Sequence, residues 1–256
     1  MINGMSVFSL ILSLGAIAGL VMVAWRAPKK LATRYVDAGL GILLCALVGS
    51  RLAYALVHWS YYSTHVGEIF QVWLGGLSGA GAVVGALLGM VFLRLLQSFF
   101  IGPLADGLLP LLGTLTIAAW LGCWADGSAY GMPSAAWYAL PARDEWGTLA
   151  PRLPVQLLGA LLTLGLFAGL EQTRRWLRRP GLEASLGLLG VALIALGLSF
   201  LRADPAQTWQ GLRQDTWEAL VVAGCALPAV VVLLLPRRRR AATAIGETTL
   251  ETQDIG

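Results

Sequence analysis

Long apolar stretches dominate the chain and recur at nearly regular intervals. Each stretch has roughly 18 to 25 residues, and a helix of that length crosses the hydrocarbon core of a bilayer, which is about 30 Å thick. Short polar segments separate the stretches. The pattern therefore predicts seven transmembrane helices, at about 5–25, 35–58, 72–97, 104–124, 154–171, 183–201 and 217–235.

Composition restricts the class of protein further. Hydrophobic residues make up 57% of the 256 residues and charged residues only 12%, whereas soluble domains carry about 25% charged residues. The mean hydropathy is +0.72. These values exclude a soluble core and predict an all-α, polytopic membrane helical bundle. We expect one transmembrane domain over 1–236 and a short tail over 237–256, basic at first and then polar, which we predict to be disordered.

Basic residues are unevenly divided between the two sets of loops. Thirteen of the 18 lysines and arginines follow spans 1, 3, 5 and 7, including the run from Arg237 to Arg240. Basic residues concentrate on the cytoplasmic side, so we expect the N-terminus outside and the C-terminus in the cytoplasm. The sequence pI of about 9.2 then indicates contact with anionic lipid headgroups and not with nucleic acid. No small-residue cleavage pattern follows the first span, and we expect that span to be retained.

The sequence contains no pattern typical of metal or disulfide chemistry. Cys45, Cys123 and Cys225 are scattered and mostly lie within spans, without zinc-site spacing or a disulfide framework. His58 and His65 lie near the outer end of span 2, with no partner pattern for a metal. We therefore predict neither a metal site nor a cofactor.

Three charged side chains fall within or beside spans, where a charge is costly and is a functional candidate. Arg51 lies in the outer half of span 2, and two interpretations stay open for it. The side chain extends outward to the interface, or it presents its planar guanidinium to a lipid phosphate. Asp37 and Asp106 lie near the inner ends of spans 2 and 4, where we expect helix capping or pairing between helices.

Glycines and aromatic residues distinguish two further segments. In VWLGGLSGAGAVVGALLG, 72–89, Gly81, Gly85 and Gly89 have small-xxx-small spacing, which predicts close packing against another helix. The GGLSG opening can instead bring backbone N–H groups to a headgroup or break the helix beside a cavity. The outer segment 125–152 mixes tryptophan, tyrosine and proline, which predicts an interfacial segment on the outer leaflet.

Taken in order, these stretches resemble the motifs of the prolipoprotein diacylglyceryl transferase family from about residue 35 to 235. YVDAGLGILLCALVGSRLAYALVHW resembles the family's aspartate-led second helix, and EIFQVWLGGLSGAG resembles its tryptophan, double-glycine and serine stretch. ADGLLPLLGTLTIAAWLGCWADGSAYG is similar to the segment that ends in the family signature. RLPVQLL is similar to its histidine-led box, and LSFLRADP to the end of a late helix.

The resemblance implies a reaction in the bacterial cell membrane. Phosphatidylglycerol donates its diacylglyceryl group to the lipobox cysteine of a prolipoprotein, a thioether forms, and glycerol phosphate leaves. Such a reaction needs a cation for the departing phosphate and help in forming the thiolate. The implied partners are phosphatidylglycerol, or another anionic phospholipid, and prolipoprotein signal peptides. We leave the catalytic residues unassigned and predict substrate binding by Arg51, Asp126, Gly127, Tyr130, Gly131, Gln156 and Arg202.

The motifs depart from the family pattern at positions that would carry chemistry. Trp120 stands where the signature has arginine, and Gly159 stands where the later box has glutamate. Ala80 occupies the position of a histidine, and Ala195 that of an arginine. Two hypotheses stay open: a divergent diacylglyceryl transferase, or a non-catalytic member of the same fold that binds a lipid or a lipoprotein.

Overall fold

Seven long helices run between the two ends of the molecule. The computed structural model describes residues 7–71, 75–97, 99–143, 146–177 and 179–235, and seven helices within these ranges are long and apolar enough to span a membrane. They confirm the seven predicted spans; the tail at 237–256 lies outside the described residues. In chain order the helices are α1 (Val7–Arg26), α2 (Ala32–Val57), α3 (Trp59–Tyr62), α4 (Gly79–Gln97), α5 (Ile101–Gly107), α6 (Leu109–Asp126), α7 (Val155–Thr173), α8 (Leu182–Ser199) and α9 (Gln214–Leu234). All of them except the short α3 and α5 are long enough to span the membrane.

The spanning helices form a closed ring of neighbours. α1 packs against α2, α2 against α4, α4 against α9, and α9 against α8, while α7 and α6 complete the ring back to α1. Consecutive spans run in opposite directions, so the bundle has two ends. We call the end at which α1, α4, α7 and α9 finish the basic end, and the opposite end the loop end. A buried apolar cluster that includes Val23, Leu104 and Leu111 lies near the basic end.

Glycines allow α2 and α4 to pack closely, as their spacing predicted. A Cβ on Gly49 of α2 would lie 2.6 Å from the carbonyl oxygen of Gly81 and 2.7 Å from the Cα of Gly85. A Cβ on Gly89 would lie 2.9 Å from the Cβ of Cys45. Because lipid provides no hydrophobic drive for helix association, this close approach of the two backbones supplies the van der Waals contact that holds them together.

Asp106 and Asp37 differ in role, although helix capping or pairing between helices was expected of both. Asp106 accepts hydrogen bonds from the backbone N–H groups of Gly181 (2.6 Å) and Ala184 (2.8 Å), so it both caps α8 and joins it to α5. The expectation for Asp37 as a cap is wrong. α2 begins at Ala32, which places the exposed Asp37 in its second turn, and the N-cap residue is Leu31.

Two small antiparallel hairpins occupy the loop end. The first pairs β1 (Leu140–Arg143) with β2 (Leu149–Arg152), and the second pairs β3 (Thr208–Trp209) with β4 (Leu212–Arg213). The sequence pattern did not predict these strands, because two to four residues are too few for a visible alternation and prolines interrupt the first pair. They connect α6 to α7 and α8 to α9, which places both hairpins beside the segments described next.

Candidate active site at the loop end

The segment after α6, residues 127–133, forms an extended strip that is held on both sides. Gly127 and Ala129 have φ angles of 72° and 55°, which turn the chain out of the helix. On one side, Ala203 N–H donates to the carbonyl of Tyr130 (2.9 Å), and Met132 N–H donates to that of Leu201 (3.0 Å). The chain after α8 therefore pairs with the strip.

On its other side, the strip pairs with the chain that leads into α7. Leu153 N–H donates to the carbonyl of Met132 at 3.0 Å. A Cβ on Gly131 would collide with the carbonyl oxygen of Leu153, so this position requires glycine. The buried Gln156 donates from its side-chain amide to the carbonyl of Ser128 at 2.8 Å. Three segments that are distant in sequence therefore meet through backbone pairing.

An ion cluster begins at Arg202, which lies within the extended segment 201–203 that pairs with the strip. Arg202 donates two hydrogen bonds to the carboxylate of Asp204 (2.9 and 2.7 Å), and its Nη1 lies 2.8 Å from Oδ2 of Asp215. Arg213 contacts the same two carboxylates at 3.2 and 3.0 Å. Burial disfavours the charged form of Arg202, but the hydrogen bonds and charges of the two aspartates outweigh it and raise its pKa above the usual value. The two aspartates therefore keep the Arg202 guanidinium charged and hold both guanidinium groups in position.

Tyr130 and Arg152 form a second polar contact on the strip. The ring of Tyr130 is 5% exposed, and the guanidinium carbon of Arg152 lies 4.7 Å from its centroid. This distance is within the range of a cation–π interaction. The side chain of Tyr130 is thus buried, and Arg152 is a basic residue at this site that the motifs did not single out.

Glu218 is a carboxylate of the first turns of α9 that contacts the start of α4. Its Oε2 accepts from the backbone N–H of Ala80 at 3.1 Å, and its Oε1 accepts from the hydroxyl of Ser78 (3.2 Å) and the amide of Gln214 (3.3 Å). A carboxylate is favourable at a helix N-terminus. Within the described residues its partners are neutral donors, in contrast to Asp204 and Asp215.

Arg51 is buried and holds the loop between α2 and α4. Its Nε donates to the carbonyl of Ile69 at 2.8 Å, and its two Nη atoms donate to the carbonyls of Glu68, Gln71, Gly75 and Gly76. A guanidinium has five N–H groups, and these five carbonyls match them. The side chain is 4% exposed and thus does not extend to water as the first interpretation expected. In this arrangement every N–H group of the Arg51 guanidinium donates to a carbonyl, so none is left for a phosphate, and we do not assign Arg51 to phosphate binding.

Comparison with known proteins identifies the family. A protein-family model described as prolipoprotein diacylglyceryl transferase matches residues 3–232. The chain belongs to this family. It is similar to proteins named phosphatidylglycerol–prolipoprotein diacylglyceryl transferase from Bacillus velezensis (35% identity over 88 residues, 33% of this chain and 32% of that protein), Thermosynechococcus vestitus (27% over 199 residues, 74% and 68%) and Chlamydia trachomatis (29% over 192 residues, 72% and 70%). With its seven spanning helices, this member of the family is a multi-pass protein of the bacterial plasma membrane.

Two departures from the diacylglyceryl transferase motifs touch each other. Trp120, at the arginine position, lies on Gly159, at the glutamate position: a Cβ on Gly159 would lie 2.5 Å from Cδ2 and Cε2 of the indole. The large apolar side chain of Trp120 thus fills the space beside Gly159, which has no side chain. Because both charges are absent together, neither is left buried without a partner.

The structure brings five of the seven predicted site residues together. Gly127, Tyr130, Gly131, Gln156 and Arg202 belong to the strip or its two flanking segments. Asp126 is exposed at the end of α6 and makes no hydrogen bond to the described residues, and Arg51 lies in the separate loop contact.

Several polar residues of the site were not predicted. Arg213, Asp204 and Asp215 could have been found from the repeated arginine-x-aspartate spacing of 202–204 and 213–215. Glu218 carries no such signal, because its partners Ser78 and Ala80 are some 140 residues away in sequence.

Proposed function

We propose that this protein transfers the diacylglyceryl group of phosphatidylglycerol to the thiol of a lipobox cysteine in a prolipoprotein. The observation that carries the proposal is the pairing of the signature strip with both the Gln156 segment and the Arg202 segment. Family membership supports the reaction, since these three segments are the motifs by which the chain resembles the transferases.

The arginine cluster supplies the cation that the reaction needs. As the thiol sulfur bonds to the glycerol carbon of the lipid, the bond from that carbon to the phosphate oxygen breaks, and glycerol phosphate leaves with the electron pair. The developing negative charge requires preorganised donors. Asp204 and Asp215 hold Arg202 and Arg213 side by side, and each guanidinium has at least one N–H group that makes no hydrogen bond to the described residues and can donate to a phosphate.

Glu218 is our candidate for the group that takes the thiol proton. A carboxylate can act as a general base when it is placed within reach of the proton. Glu218 lies one helical turn from Asp215 on the same face of α9, and it contacts Ala80, the position at which the family motif has histidine. We infer that proton transfer has moved from α4 to α9 in this chain. The proton passes from sulfur to the carboxylate and then to the departing phosphate.

The test is transfer by the purified protein in vesicles. Phosphatidylglycerol labelled in its diacylglyceryl group is mixed with a lipobox peptide, and the thioether product is detected by mass spectrometry. A peptide with serine in place of the lipobox cysteine is the matched control. We expect product with the cysteine peptide only. Absence of product from folded protein that still binds phosphatidylglycerol would reject transfer and leave the lipid-binding hypothesis.

A further inference from the structure

A polar cavity lies at the basic end, opposite the strip. Its volume is about 340 Å³, within the range of about 300–1,000 Å³ that is common for small-molecule sites. It is formed by the ends of α1 and α7 and the beginnings of α2 and α8, together with α5. The polar side chains that line it are Arg26, Tyr35, Asp106, Arg174, Arg179 and Glu183.

The two acidic side chains of this cavity are already occupied. Both carboxylate oxygens of Asp106 accept backbone N–H groups at the start of α8. Glu183 is 5% exposed and pairs with Arg26, and it lies 3.9 Å from Nε of Arg174. Since both carboxylates already have partners, the charged donors in the cavity are those of the arginines.

Those arginines retain N–H groups without acceptors among the described residues. The side chain of Arg26 is 8% exposed, yet its Nε is buried and makes no hydrogen bond there. Arg179 uses Nη1 to bind the carbonyls of Leu233 and Leu235, and its Nε and Nη2 make no bond within the described residues. Arg174 is 47% exposed, and its contacts with Glu171 and Glu183 are long, at 3.5 and 3.9 Å. A buried unmatched donor in a cavity indicates an acceptor that binds there.

We propose that this cavity binds a phosphate group, and that its position at the membrane surface makes this the phosphate of an anionic phospholipid. Arginine forks match phosphate oxygens in geometry and charge. Basic pockets between spanning helices at the cytoplasmic surface bind anionic headgroups. Lys29 and Lys30 lie beside the cavity along the chain and add positive charge near it. The site is separate from the proposed reaction and does not rest on it.

The test measures phosphatidic acid binding by the purified full-length chain, by native mass spectrometry in detergent. Arg174→Gln and Arg179→Gln, made singly and together, remove donors while keeping the buried pair of Arg26 and Glu183. We expect the apparent Kd of the double variant to rise by roughly tenfold or more. Arg175→Gln is the matched control, because Arg175 contacts Trp176 and does not line the cavity. Thermal unfolding in lipid-free detergent checks that each variant is folded.

Three arms separate the outcomes. Inorganic phosphate that displaces the lipid at millimolar concentration would support the phosphate site with a soluble source, whereas failure to displace it supports the lipid. If Arg175→Gln raises the apparent Kd for phosphatidic acid as much as the double variant does, the lipid binds to diffuse surface charge and the proposal is overturned. A rise in the apparent Kd for Arg202→Gln, with no rise for the double variant, would also overturn the proposal, because the lipid would then be bound at the loop end.

Discussion

At the residue scale, Trp120 and Gly159 show how this chain differs from the family motifs. The indole occupies the space beside Gly159, so the pair preserves packing between α6 and α7 without either charge. Replacing a buried ion pair by apolar groups of similar total volume is often neutral for stability. The indole and the glycine therefore pack α6 against α7 at a position that carries no titratable group.

We predict that Gly159→Ala destabilises the protein by about 1–3 kcal/mol, because the added methyl group overlaps the indole of Trp120. Chemical unfolding in detergent, followed by tryptophan fluorescence, measures the difference. Gly165→Ala in the same helix is the control, since nothing lies within 4 Å of its Cβ position. Equal effects of the two substitutions would show that Trp120 does not pack on Gly159.

The proposed role of Glu218 as the proton acceptor can be tested by substitution. Glu218→Gln keeps the size of the side chain and should lower turnover by about 10²–10⁴ with a cysteine peptide, because a general base contributes roughly that factor. The loss should be far smaller with a selenocysteine peptide, whose selenol is already ionised at neutral pH. Product formation with both peptides is measured by mass spectrometry.

The control for Glu218 is Gln214→Ala, which removes one hydrogen bond to the carboxylate but leaves the carboxylate in place. It should keep most of the turnover. If Glu218→Gln lowers turnover equally with the thiol and the selenol peptide, Glu218 is a structural cap of α4 and not a proton acceptor. If wild-type protein yields no product with either peptide, the transfer reaction itself is wrong.

At the element scale, small residues decide how the helices meet. α2 and α4 approach through Gly49, Gly81 and Gly85, while α5 and α8 are joined by the cap from Asp106. The glycine spacing is visible in the sequence because it repeats every four residues along one face. The cap partners are not visible, because an aspartate beside a helix start looks the same whichever helix it caps.

Gly85→Ala tests the close approach of α2 and α4. The added Cβ would overlap the carbonyl of Cys45, so we expect the two helices to separate and the thermal midpoint in detergent to fall by several degrees, corresponding to about 1–3 kcal/mol. Gly41→Ala is the matched control in α2, where the Cβ position has no neighbour within 4 Å. A midpoint for Gly85→Ala as high as that of Gly41→Ala would contradict this packing.

At the scale of the whole molecule, the two ends have different chemistry. The loop end has the strip, the cluster of two arginines and two aspartates, and exposed tryptophans such as Trp137, which is 94% exposed. The basic end has the arginine-lined cavity and most of the cationic residues that the structure describes. This asymmetry places the proposed transfer and the proposed lipid-phosphate site on opposite membrane surfaces.

The predicted orientation can be tested by cysteine labelling in intact cells. In a background without Cys45, Cys123 and Cys225, a membrane-impermeant maleimide should label Ala135→Cys at the loop end. It should label Lys29→Cys at the basic end only after the cells are permeabilised, because basic loops face the cytoplasm. Labelling of Lys29→Cys in intact cells would reverse the orientation.

The sequence by itself determined the seven spans and the close packing of α4 against another helix, because apolar length and glycine spacing are local properties; only the structure showed that this helix is α2. It also pointed to the strip, to Gln156 and to Arg202 as parts of one site. Only the tertiary structure decided that Arg51 holds a loop, that Trp120 packs on Gly159, and that Glu218 meets Ala80. Those contacts join segments from different helices, and their energies depend on which donors and acceptors the fold brings within bonding distance.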